Sequence, residues 1–127
     1  MRIVHYSIQG NHLHLIVEAE DRESLAKGMQ GLAIRIARAI NRLFARAGQV
    51  WADRYHSHVL KTRREAANAL RYVLGNFARY AASWGDRVAR FADAFSSVRF
   101  LGFTDPDAPV ASPRTWLFRL GWRPPSV

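Results

Sequence analysis

The chain has 127 residues, 49% of them hydrophobic, which suits about one domain with a core of its own. It has no cysteine, which excludes disulfides, thiolate metal sites and cysteine nucleophiles and favours the cytoplasm. Nor is there an apolar run of about 18 residues, the length that spans a bilayer, so no membrane partner is expected. Nineteen Lys plus Arg against ten Asp plus Glu leave a net charge of +9, nearly all of it arginine, since Lys27 and Lys61 are the two lysines. Arginine forks onto phosphate and stacks on bases, so nucleic acid is the expected partner.

Residues 3–9 (IVHYSIQ) and 12–18 (HLHLIVE) read as strands, and the turn residues between them predict a β-hairpin. Side chains alternate along a strand, so His12 and His14 leave one face together while Leu13, Leu15 and Val17 leave the other. A helix is predicted next, with Asp21 as N-cap and Gly48 as the stop. Leu25, Met29, Leu32, Ile36, Ile40 and Leu43 form its apolar stripe, and Arg35, Arg38, Arg42 and Arg46 a basic one. Residues 50–61 (VWADRYHSHVLK) read as a third strand.

A second helix is expected from Thr62 to about Ala82, since Thr62 and Glu65 have capping-box spacing. Ala66, Leu70, Val73, Leu74 and Phe77 are its predicted buried face, and Glu65, Asn68, Tyr72, Asn76 and Arg79 its polar stripe. After Trp84 comes the Pro-rich loop "TDPDAPVASP", then "RTWLFRLGWRPP", where arginines alternate with aromatics. Residues 1–84 are read as the core domain and 85–127 as an extension. Trp116, Leu117, Phe118 and Trp122 are expected to dock on the core, leaving Arg114, Arg119 and Arg123 free; the competing reading makes the tail a base-stacking surface.

Two histidines on one strand face supply two metal ligands, and a third must come from elsewhere. A hydrolytic HxHxDH site is excluded, because Leu15, Ile16 and Val17 follow His14. The second HxH, His56 and His58, offers a four-histidine site; Asn76 offers an amide oxygen. Tyr72 stands one helical turn before Asn76, where a phenol beside a metal can act as a nucleophile on phosphate.

"GNHLHLIVEA", the basic helix behind it, "VWADRYHSHVLKT" and "ALRYVLGNFARYA" occur in the order and spacing of one family. They resemble the single-tyrosine HUH transposases, most closely the REP-associated tyrosine transposase-like proteins. The resemblance implies an α+β, ferredoxin-like (RRM-like) sandwich, an antiparallel sheet with helices on one face, its first strand and helix missing from this chain. It implies that His12, His14 and Asn76 hold Mg2+ or Mn2+ and that Tyr72 attacks single-stranded or hairpin DNA, leaving a 5′-phosphotyrosine link and a 3′-hydroxyl. Arg35, Arg38, Arg42, Arg54, His56, Lys61, Arg71 and Arg79 would then contact DNA in the bacterial cytosol, at the nucleoid. The missing strand would leave a sheet edge open to self-association. The alternatives are a DNA-binding remnant without turnover and an unrelated histidine-rich metalloprotein.

Overall fold

In a computed structural model the chain is an α+β protein with a two-stranded antiparallel sheet among the described residues. Those residues are 1–84, 97 and 109–121, with the side chains of 74 and 76–84 left out; the expectations for Leu74, Phe77, Trp122 and Arg123 lie outside them. The chain divides into two compact units, one formed by Met1 and Ala19–Val59, the other by Arg2–Glu18 and Leu60–Val127.

The first unit is built on helix α1, Arg22–Leu43. The Asp21 carboxylate accepts from the Ser24 N–H at 2.7 Å, satisfying one of the amides that a helix start leaves unpaired. The helix ends five residues before the predicted stop. Arg46 N–H donates to Asn41 O at 2.9 Å and Ala45 N–H to Arg42 O at 3.3 Å, a Schellman closure in which Ala45 takes the left-handed position (φ 49°). Gly48, the predicted stop, also has positive φ (97°), but it turns the chain that leads away.

Residues 50–61 form no strand, contrary to the sequence reading. Asp53 and Ser57 interrupt the β-branched positions Val50 and Val59, and strand propensity is weak between them. The indole of Trp51 instead donates to Ala33 O at 2.9 Å, which pins the segment to α1.

The second unit contains β1 (Arg2–Ile8) and β2 (Leu13–Glu18), paired with Ser7 opposite His14, His5 opposite Ile16 and Arg2 opposite Glu18. The register shifts between Ile3 and His5, so Val4 and His5 are both buried although adjacent in sequence. Ala111 N–H donates to Ile3 O at 2.8 Å and Ser97 N–H to Tyr6 O at 3.0 Å, so residues far along the chain satisfy these carbonyls of β1.

Helix α2 runs Arg63–Trp84. Its capping box is complete: Glu65 N–H donates to Thr62 Oγ1 at 3.1 Å, while the Glu65 carboxylate accepts from the Thr62 N–H at 3.1 Å and the Lys61 N–H at 2.6 Å. Ala66, Leu70 and Val73, four and three apart, form one helix stripe that packs with Ile16 and Phe118 in the core. Phe118 belongs to a short π-helical turn, Leu117–Gly121.

Glu18 ties that turn to the sheet. The residue is 5% exposed, and its carboxylate accepts from the Arg114 and Thr115 N–H groups at 2.8 Å each, from the Thr115 hydroxyl, and from the Arg2 guanidinium at 3.4 Å. Burial pushes the Glu18 pKa up, but the bonds from Thr115 and Arg114 and the charge of Arg2 outweigh it and hold the carboxyl below its ordinary range.

Candidate functional site

Alternation along β2 sends His14, Ile16 and Glu18 to one face, the face on which α2 packs through Ile16, and His12 immediately precedes the strand beside His14. The seating of Ala66, Leu70 and Val73 against Ile16 brings Tyr72, the neighbour of Val73, against the next residue along that face. The Tyr72 ring stands edge-on to His14 at a centroid distance of 5.0 Å. His14 in turn stands edge-on to His12 at 4.7 Å. Two imidazoles and a phenol thus form a continuous series, with Tyr72 half-exposed at its outer end.

Asn11 Oδ1 is an acceptor, 2.7 Å from His12 Nδ1, so Nδ1 carries the proton and Nε2 is left as the basic nitrogen. His14 Nε2 is buried and has no hydrogen-bond partner. Burial first, and the neighbouring His12 second, lowers the His14 pKa below its ordinary value, which favours the neutral imidazole. A buried, neutral nitrogen without a partner is the donor a divalent metal requires, so this pair fits the group that the sequence implied.

No group of three or more His, Cys, Asp or Glu gathers among the described residues. Asn76 is on α2 one turn beyond Tyr72, and its side chain lies outside the described residues.

The predicted DNA contacts divide between the units. Arg35, Arg38 and Arg42 are exposed along α1, and Arg54 and His56 are exposed in the coil that follows; Lys61 and Arg71 are exposed in the second unit. Arg79 lies among the residues whose side chains are left out. His56 and His58 lie in coil rather than on the expected strand.

The family model described as transposase IS200-like matches residues 1–76, more than half of the chain. The chain belongs to the IS200-like transposase family. DNA is therefore its partner, and DNA transposition its functional class. The matched range spans the positions of His12, His14, Tyr72 and Asn76. No curated protein and no solved structure matched. No described helix is long and apolar enough to cross a membrane.

The sequence reading passed over two contacts of this transposase. Glu18 was read only as a strand residue, yet an acid in the series 12, 14, 16, 18 had to lie on the same face as Ile16 and find partners there. Ser97 is fully buried and accepts from the Tyr6 N–H at 2.9 Å, with His5 Nδ1 3.1 Å from its Oγ; nothing in the local pattern marks a serine 91 residues away as the partner of Tyr6.

Proposed function

We propose that the chain cuts and rejoins single-stranded DNA through a covalent 5′-phosphotyrosine at Tyr72, with a divalent metal held by His12, His14 and Asn76. The observation that carries this reading is the ring series His12, His14, Tyr72, together with the unpartnered His14 Nε2. Mg2+ or Mn2+ bound there would polarise a phosphate oxygen and offset the charge that builds during attack.

The Tyr72 oxygen attacks the scissile phosphorus, a P–O bond forms to the phenol, and the bond to the 3′ oxygen breaks. The phenolic proton passes to water and the departing 3′ oxygen takes one up. One phosphodiester replaces another, so no nucleotide is hydrolysed, and a 3′-hydroxyl can reverse the step. The half-exposure of Tyr72 lets a polynucleotide strand approach it, while the packing of α2 on Ile16 keeps the helix that carries it against the histidines.

The rest of the reading follows from the same site. The packing of α2 on the hairpin supports a ferredoxin-like sandwich as the fold. Arg35, Arg38, Arg42, Arg54, His56, Lys61, Arg71 and Arg79 contact the backbone of a folded single strand or hairpin, at the nucleoid in the cytoplasm. A second copy pairs along the outer edge of β2.

Calorimetric titration with Mn2+ tests the ligand set. Binding is lost in His14→Ala, weakened in Asn76→Ala and unchanged when His56 and His58 are both replaced. Loss on replacing His56 and His58, with Asn76→Ala silent, would overturn it in favour of a histidine-rich metal site.

A further inference from the structure

The tail does not dock as one piece. Phe118 is buried and Leu117 is packed against the core, but Trp116 is 58% exposed. An indole that meets water is common at a surface; one that is also held in place is less so. The backbone of Gly121 approaches the Trp116 ring so closely that a Cβ at Gly121 would fall 2.7 Å from Cζ3 and 3.0 Å from Cε3. The Arg63 guanidinium lies over the same ring at 5.8 Å and donates from Nε to Gly121 O at 2.9 Å. The Glu18 carboxylate fixes the two preceding residues, Arg114 and Thr115, through their amides.

The Arg63 guanidinium puts a cation at this ring. Among the described residues of the unit the acids are Glu18 and Glu65, and both carboxylates are engaged by backbone N–H groups. Arg64, Arg114 and Arg119 are exposed. A half-exposed indole held beside the Arg63 guanidinium, in a chain of net charge +9, suits a ligand that combines flat rings with negative charge, which is the composition of a single polynucleotide strand.

We propose that Trp116 is a stacking platform for an unpaired nucleobase, with the exposed Arg64, Arg114 and Arg119 of the same unit receiving the adjoining phosphates. This rests on single-stranded DNA being the substrate and adds a residue that grips the strand away from Tyr72. Base–aromatic stacking does not depend on base identity, so this platform adds affinity rather than sequence preference.

The test uses the full chain with EDTA present, so that no strand is cut, and reads binding by fluorescence anisotropy. One oligonucleotide carries its bases; a second of equal length is abasic and keeps only the charge. Trp116→Ala is expected to weaken binding of the first by roughly 5- to 150-fold and to leave the second unchanged. Trp116→Phe should recover most of the loss, which separates the ring from any damage to the tail. Equal weakening on both strands, or unchanged affinity for the first, overturns the proposal. So does a wild-type chain that binds neither strand. Covalent adduct formation with Mn2+, measured separately, reports on Tyr72 whichever way the stacking test falls.

Discussion

Glu18→Ala should destabilise the second unit by about 3–5 kcal/mol, the cost of removing the acceptor from a buried charged network. In the wild type one carboxylate receives two backbone N–H groups at 2.8 Å, the Thr115 hydroxyl and the Arg2 guanidinium. Alanine leaves those amides without an acceptor beside the sheet. Glu18→Gln keeps one oxygen but turns an NH2 toward donors and removes the charge opposite Arg2, so its cost should be smaller, about 2–3 kcal/mol. Urea unfolding followed by circular dichroism measures both. The pH dependence then separates charge from shape. The folded pKa of Glu18 lies below its ordinary 4.5, so its contribution is complete above that value. As pH falls below it, protons bind the unfolded chain first, and the contribution is gone once pH has passed through the folded pKa. The gap between wild type and Glu18→Gln should therefore close on acidification. A gap that stays constant from neutral pH into strong acid would refute the charge argument, and no difference at neutral pH would refute the role of Glu18.

Two backbone substitutions of opposite sense are expected to stabilise. Ala45→Gly relieves a left-handed residue at the α1 terminus (φ 49°) and should add roughly 1 kcal/mol in thermal unfolding. Gly75→Ala meets nothing within 4 Å and should add about 0.5–1 kcal/mol by stiffening α2 beside Tyr72; a lower melting temperature would contradict the helix geometry there. Leu70→Ala opens the core beneath α2 and should cost about 2–5 kcal/mol in urea unfolding. Burial lowers the His5 pKa from 6.5 to about 4, so the stability it contributes is present above 6.5 and is lost as pH falls toward 4. NMR titration of the His5 ring should find a midpoint near the lower value, and a midpoint at 6.5 would mean the ring is not buried.

What the sequence disclosed was local. The alternation of His12 and His14, the Asp21 cap, the Thr62–Glu65 box and the Ala66, Leu70, Val73 stripe depend on neighbours a few residues apart, and all hold. The helix stop was misplaced because Gly48 is the better left-handed residue, yet Ala45 closes the helix at the position where its apolar stripe ends. The third strand failed because a strand needs a partner ladder, which no pattern within residues 50–61 supplies. Glu18 with Thr115, and His5 with Ser97, join residues 97 and 92 apart in sequence, beyond any periodicity. Trp116, Leu117 and Phe118 were expected to dock together, but consecutive residues of one turn cannot all face the core: Phe118 went in, Leu117 packed beside it and Trp116 stayed out.

The central claim is that Tyr72 becomes covalently attached to DNA. The most direct measurement incubates the purified chain with end-labelled hairpin-bearing single-stranded DNA and Mn2+, then resolves the products by denaturing electrophoresis. A labelled band at the mass of protein plus strand fragment, absent with EDTA and absent in Tyr72→Phe, is the predicted result. An adduct that persists in Tyr72→Phe would move the nucleophile elsewhere, and DNA binding without any adduct would make the chain a binding protein that has lost its chemistry.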